Sequence, residues 1–149
     1  MTTEQMNQVT REEWRELGFF YDFDKENSRW RLIGSRGGLL KFRDILNAYA
    51  DDSRNQQISE HEHYGPYFYL KLMTWEEAEI TENAICGTLS DFRRLAKIVE
   101  NKLNACSVGS TFTIGDEYAE GNLAMIEFEV CEEGFDPASA DTLLQSDDS

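Results

Sequence analysis

The sequence predicts an α+β fold: a mainly antiparallel six-stranded sheet in the order ββα-ββα-ββ, with two long helices on one face and a short N-terminal helix. Three observations carry this. Short runs rich in branched and aromatic residues come in pairs around turn chemistry. Two segments repeat apolar residues at three- and four-residue spacing over about four turns. Hairpins cannot bury their own apolar faces, so amphipathic helices must cover them. A chain of 149 residues, 40% of them hydrophobic, is long enough for one core and short for two.

The elements follow in order. Residues 1–9 read as a flexible tail. Thr10 and Glu13 have capping-box spacing and Gly18 suits a helix stop, so a short helix carries Trp14 and Leu17 inward. "FFYDF" and "RWRLIG" flank the turn-rich "DKENS" and form a hairpin. In "GGLLKFRDILNAYADD", Leu39, Phe42, Leu46 and Tyr49 fall on one helical face. A polar connection over 51–63 leads to the strand "PYFYLKLMTW", which should pair with "AEITENAICG" across Glu76 and Glu77. Thr88 and Asp91 cap a second long helix, with Leu89, Phe92, Leu95, Ala96, Val99 and Leu103 as its stripe. "TFTIG" and "LAMIEFEV" close the sheet, and Ala124, Ile126, Phe128 and Val130 alternate with polar neighbours. Residues 10–131 make one domain, and 132–149 an acidic, mobile tail whose start Phe135 can pin to the body.

The long helices echo each other at an offset of 50 residues, Gly37 with Gly87, Leu39 with Leu89, and Phe42-Arg43 with Phe92-Arg93. This reads as a duplicated ββα unit, or as two amphipathic helices that any such alignment would match.

Charge and cysteines bound the function. Twenty-nine acidic residues against 14 basic give a formal charge of −15, a field that repels nucleic acid and anionic membranes and suits a basic partner or simple solubility. Cys86, Cys106 and Cys131 are odd in number and form no CxxC, which points to a reducing, cytoplasmic setting. No apolar run approaches a membrane span, and the polar start lacks a signal-peptide core.

No motif identifies a reaction, and no cofactor is implied. His61 and His63, two residues apart around Glu62, would share one side of a strand and are the metal candidates, but no spacing selects a third ligand. Cys86 before a helix could have a lowered thiol pKa, or be a small buried residue. Glu77, Glu79 and Glu82 read as a solvated strand face, and "GSRGGLL" as a tight turn without a phosphate-loop pattern. The clearer signal is the strand after the histidines. Phe68, Leu70, Leu72 and Thr74 form its core set. Tyr67, Tyr69, Lys71 and Met73 face out, beside Arg29 and Arg31, and Tyr and Arg anchor protein interfaces. The binding residues expected are therefore His61, His63, Tyr67, Tyr69, Lys71, Arg29 and Arg31, with the histidines making binding pH-sensitive between roughly pH 5.5 and 7.5.

The runs "SEHEHYGPYFYLKLMTW" and "EITENAICGTLSDFRRLA" and the late "FDPASADTLL" resemble a family of small bacterial proteins. In being small, acidic and α+β without a reaction motif, the chain is also similar to immunity proteins of bacterial toxin–immunity systems. That resemblance implies a non-enzymatic protein, holding a basic toxin through acidic and aromatic surface. The alternative is a small-molecule or metal-binding protein, with enzymatic function conceivable, using a site near His61 and His63. Self-association through the exposed strand face is a third route.

Overall fold

The computed structural model describes residues 2–122 and 124–145. Helix α1 spans Thr3–Leu17, and strands β1 (Phe20–Asp24) and β2 (Arg29–Ser35) lead into α2 (Arg36–Asp51). Strands β3 (His61–Tyr64) and β4 (Leu70–Thr74) follow, then β5 (Glu79–Ile80) and β6 (Ile85–Gly87), α3 (Leu89–Ala105), β7 (Thr111–Ile114) and β8 (Met125–Cys131). A 3-10 turn at Pro137–Ala140 and the one-turn α4 (Thr142–Gln145) follow. Among the described residues, no helix is long and apolar enough to cross a membrane.

The single six-stranded antiparallel sheet expected from the sequence is incorrect. The strands form two sheets of four, in the orders β1-β2-β8-β7 and β3-β4-β6-β5. Both are mixed: β2 pairs with β8 and β4 with β6 in parallel, and each parallel pair is flanked by antiparallel edges. β4 does not pair with β5 across Glu76 and Glu77. Thr81 makes a tight turn instead, its N–H bonding to the Ala84 carbonyl and its hydroxyl accepting from the N–H groups of Asn83 and Ala84. That folds β5 back onto β6 and leaves β4's other edge to β3, the histidine stretch read as a polar connection.

Each sheet takes one hairpin from each half of the chain. The order β1β2-α2-β3β4 repeats as β5β6-α3-β7β8, and exchanging the halves maps one sheet order onto the other. The helix caps set the register. Ser35 accepts from the Gly38 N–H and Thr88 from the Asp91 N–H, so equivalent positions lie 53 residues apart rather than 50. Buried Leu39, Phe42, Leu46 and Ala50 then match buried Phe92, Leu95, Val99 and Leu103. The two Phe-Arg pairs fall out of step. α2 and α3 lie antiparallel, each capped by an arginine of the other. Arg36 donates to the Leu103 and Cys106 carbonyls, and Arg93 donates to that of Ala50 at 2.9 Å. These cations satisfy last-turn carbonyls and oppose the helix dipoles.

One core joins both sheets to the helices, with Phe42 against Phe128 and Tyr49 against Phe92. Along β8 and the residue before it the expected alternation holds: Ala124, Ile126, Phe128 and Val130 are buried. On β4, Leu70, Leu72 and Thr74 are buried, but Phe68 is not in the core. The strand begins only at Leu70, and Phe68 sits in the preceding turn with φ +60°.

Among the described residues, helix and turn extend into both segments read as tails. α1 starts at Thr3, capped by a reciprocal Thr2–Gln5 box, so residues 3–9 are helical and Thr10 instead donates its hydroxyl to the Met6 carbonyl. Gly18 does end the helix, with φ +97°. There α1 meets α2 closely: a Cβ on Gly38 would lie 2.1 Å from the Gly18 carbonyl oxygen, which accounts for Gly38, whereas Gly37 faces open space. At the C-terminal end Ala138, Asp141 and Leu144 are buried, and Arg15 pairs with Asp136 at 3.0 Å. Residues 146–149 of the expected tail lie outside the described residues.

Candidate binding cleft

Where the edge of β1, the β3–β4 turn, the β5–β6 turn and the C-terminal segment converge, they enclose a cleft of about 710 Å³. Its length is lined by a chain of rings, each within 6.2 Å of the next: Tyr69, Tyr67, Trp14, Tyr21, Trp30 and Phe23. Trp14, Tyr21 and Trp30 are the buried floor. Phe68, Tyr69 and Leu143 form the rim and are 62%, 69% and 68% exposed, the most exposed large apolar side chains among the described residues.

Sequence accounts for each wall. Gly18 turns the chain sharply out of α1, which sets Trp14 against Phe20 and Tyr21 at the start of β1. The β3–β4 turn bends at Gly65 (φ +84°), a position that suits glycine. It continues through Phe68, whose φ of +60° is uncommon for a bulky residue. Three bonds hold it there. The Tyr21 hydroxyl donates to the Tyr64 carbonyl and accepts from the Tyr69 N–H, and His63 donates from Nδ1 to the Phe68 carbonyl at 2.8 Å.

The polar groups besides the tyrosines are few: the acids Asp22, Glu82 and Asp141, with Lys25, Asn83 and Thr142. Asp141, 3% exposed, accepts from Trp14 Nε1 at 2.9 Å and from the Tyr67 hydroxyl at 2.6 Å on one oxygen, and from the Leu143 N–H on the other. Burial, and then the bond to Asp141, push the Tyr67 hydroxyl's pKa well above the ordinary tyrosine value, so it stays a donor. Among the described residues Asp141 has no cationic partner. Asp22 and Glu82 also line the cleft, against Lys25.

The predicted binding residues disperse. Tyr67 and Tyr69 line the cleft. His63 stands behind the rim as a brace. His61 bonds through Nδ1 to the Ser59 carbonyl, and the two imidazoles meet edge to face at 5.2 Å. Lys71 is the cross-strand neighbour of His63, not a rim residue. Arg31 is held by Asp22, with Nε to Oδ1 at 2.8 Å, and Arg29 by Glu127 at 2.6 Å, so both belong to a charge ladder on the other sheet. Among the described residues no group of three or more His, Cys, Asp and Glu side chains is placed to hold a metal. Cys86 is buried, and burial followed by the Glu79 charge pushes its thiol up to about 11, the reverse of activation.

Sequence reasoning missed Trp14, Trp30, Phe68, Asp141 and Leu143 as cleft residues. Phe68 had the clearest signal: it follows Gly-Pro, where strand alternation is not yet dependable. Comparisons with family models, curated proteins and solved structures give no match to this chain.

Proposed function

We propose that this chain is a non-enzymatic binding protein whose aromatic cleft holds a basic segment of a protein partner. Its most specific form is an inhibitor or immunity protein that occupies a basic toxin. The observation that supports the reading is the convergence of the three most exposed large apolar side chains among the described residues, Phe68, Tyr69 and Leu143, on one aromatic floor edged by acids. Water-exposed aromatics around a concave floor are the anatomy of an interface anchor. A formal charge of −15 supplies steering toward a basic partner.

The test is affinity capture from the native cytosol with the wild-type chain and with the F68A/Y69A double variant, at low salt and at about 1 M salt, where charges are screened beyond roughly 3 Å. The expected result is a basic protein retained by the wild type, lost by the variant and released by salt. A partner held equally by both chains, or held regardless of salt, overturns the reading.

A further inference from the structure

We propose that the free edge of β1 takes an extended segment of the partner as an added strand, and that this segment alternates basic and apolar side chains. The proposal rests on the cleft reading above and names the form in which the partner enters.

The first observation is geometric. Phe20, Tyr21, Asp22 and Phe23 are consecutive and all line the cleft. Neighbouring side chains of a strand point to opposite faces, so a cleft that touches four in a row runs along the strand's edge. β1 is the edge strand of its sheet, laddered to β2 alone. Apart from that ladder, the backbone of β1 makes no hydrogen bond to any described residue. An open edge of this kind is a template for a further strand.

The second observation is chemical and fixes the alternation. On one face of the sheet stand Asp22 and Asp24 at the edge, Arg31 and Arg29 opposite them on β2, and Glu127 and Glu129 on β8, four acids against two arginines that Asp22 and Glu127 already hold. On the other lie the rings of Tyr21, Phe23 and Trp30, continuing to Tyr67 and Tyr69. An added strand would send alternate side chains to those two faces. Basic side chains complement the first and apolar side chains the second. Arg31 already engages Asp22 and Lys25 stands at the end of the edge, so Asp24, which takes its bonds from Glu26 and Asn27, is the acid left for an added basic side chain.

The experiment uses the full chain and three acetylated peptide amides of about seven residues, an ordinary strand length. One alternates Arg and Val. A second has the same sequence with alternate backbone nitrogens methylated, which removes donors without changing side chains. A third has the same composition in two blocks. Binding is read by fluorescence anisotropy, and the amides of Asp22, Phe23 and Asp24 by hydrogen exchange. The alternating peptide should bind, slow exchange in β1, and exceed the methylated and block peptides by about tenfold, the effect of losing a few backbone hydrogen bonds. Equal affinity for all three peptides, or no binding by the alternating one, overturns strand addition. So does protection of the same amides by a second copy of the chain at high concentration. If the methylated peptide matches the parent while F68A/Y69A still abolishes partner capture, strand addition fails and the cleft reading stands. If the double variant leaves capture intact, the cleft reading itself fails.

Discussion

The turn joining β3 to β4 and the loop joining β7 to β8 hold equivalent places in the exchanged halves of the fold, yet they treat their aromatics in opposite ways. The first leaves Phe68 and Tyr69 in solvent. The second tucks Tyr118 to 3% exposure, with its hydroxyl donating to the Cys86 carbonyl at 2.7 Å and Arg94 over its ring at 5.0 Å. The clefts beside them differ in kind. The one at the β7–β8 loop is lined by Phe23, Ile80, Gly121 and Asn122 among others, without Trp or Tyr. The fold thus has a way to bury a loop aromatic, applies it fully to Tyr118 and in part to Tyr67, and withholds it from Phe68 and Tyr69. Exposure at 68 and 69, with a left-handed backbone at Phe68, is not a demand of the architecture. Strain and exposed apolar surface that the core does not need are the marks of a surface kept for binding.

The comparison breaks first on stability. Tyr118→Ala removes a buried ring and a satisfied hydroxyl and should cost about 3 kcal/mol, read as a drop of several degrees in melting temperature. Phe68→Ala with Tyr69→Ala should stay within about 0.5 kcal/mol of wild type, as exposed substitutions do. Comparable losses in the two variants would make the β3–β4 turn structural and remove the contrast.

A second test concerns what roofs the aromatic cleft. Asp141→Ala leaves the Trp14 indole N–H and the Tyr67 hydroxyl without their acceptor and should cost about 2 kcal/mol. Asp141→Asn keeps a side-chain acceptor and should cost less. Thermal unfolding of both variants checks the order. A reversed order would show that charge, not acceptance, holds the C-terminal segment.

Local chemistry was legible from the sequence. The Thr88–Asp91 cap, the buried stripes of both long helices, the β1–β2 hairpin and the alternation of β8 each depend on residues close in sequence. The sheet partition was not. Parallel pairing of β2 with β8 joins positions about a hundred residues apart, as Arg29 and Met125 show, and no local period encodes it. β3 is exposed over most of its length and so carries no apolar signal. The cleft was half legible, because Tyr67 and Tyr69 stand out by alternation while Trp14 reads only as core. Asp141 was unreadable as a site residue, since its burial is set by Trp14, 127 positions away.

Phe68→Gly sharpens the contrast more gently. A bulky residue in the left-handed region carries roughly 1 kcal/mol of penalty that glycine lacks, against glycine's greater loss of freedom on folding. The variant should unfold at the same temperature as wild type or slightly higher, while losing partner capture. A clear fall in melting temperature would mean the ring packs in the folded state. Capture that survives would place the anchor at Tyr69 alone.

The smallest effect separates the clefts by pH. The aromatic cleft alone is bordered by the C-terminal segment, and Arg15 ties that segment to α1 through Asp136. The Arg15 guanidinium bond holds the Asp136 carboxyl below its ordinary range. A carboxylate whose folded pKa is depressed stabilises fully above its unfolded value, and that contribution is lost as pH falls through the folded one. Acid should therefore loosen this edge first: hydrogen exchange at Ala138 and Ser139 should quicken below about pH 4, before the amides around Tyr118 respond. Asp136→Asn should remove that early step and leave the rest of the acid transition in place. Simultaneous onset at both sites in the wild-type chain would mean that the two clefts share one cooperative unit and that the Arg15–Asp136 tie is incidental. The pair is half exposed, so salt should shrink the difference, whereas the contrast between Phe68 and Tyr118, which rests on burial, should be unchanged by it.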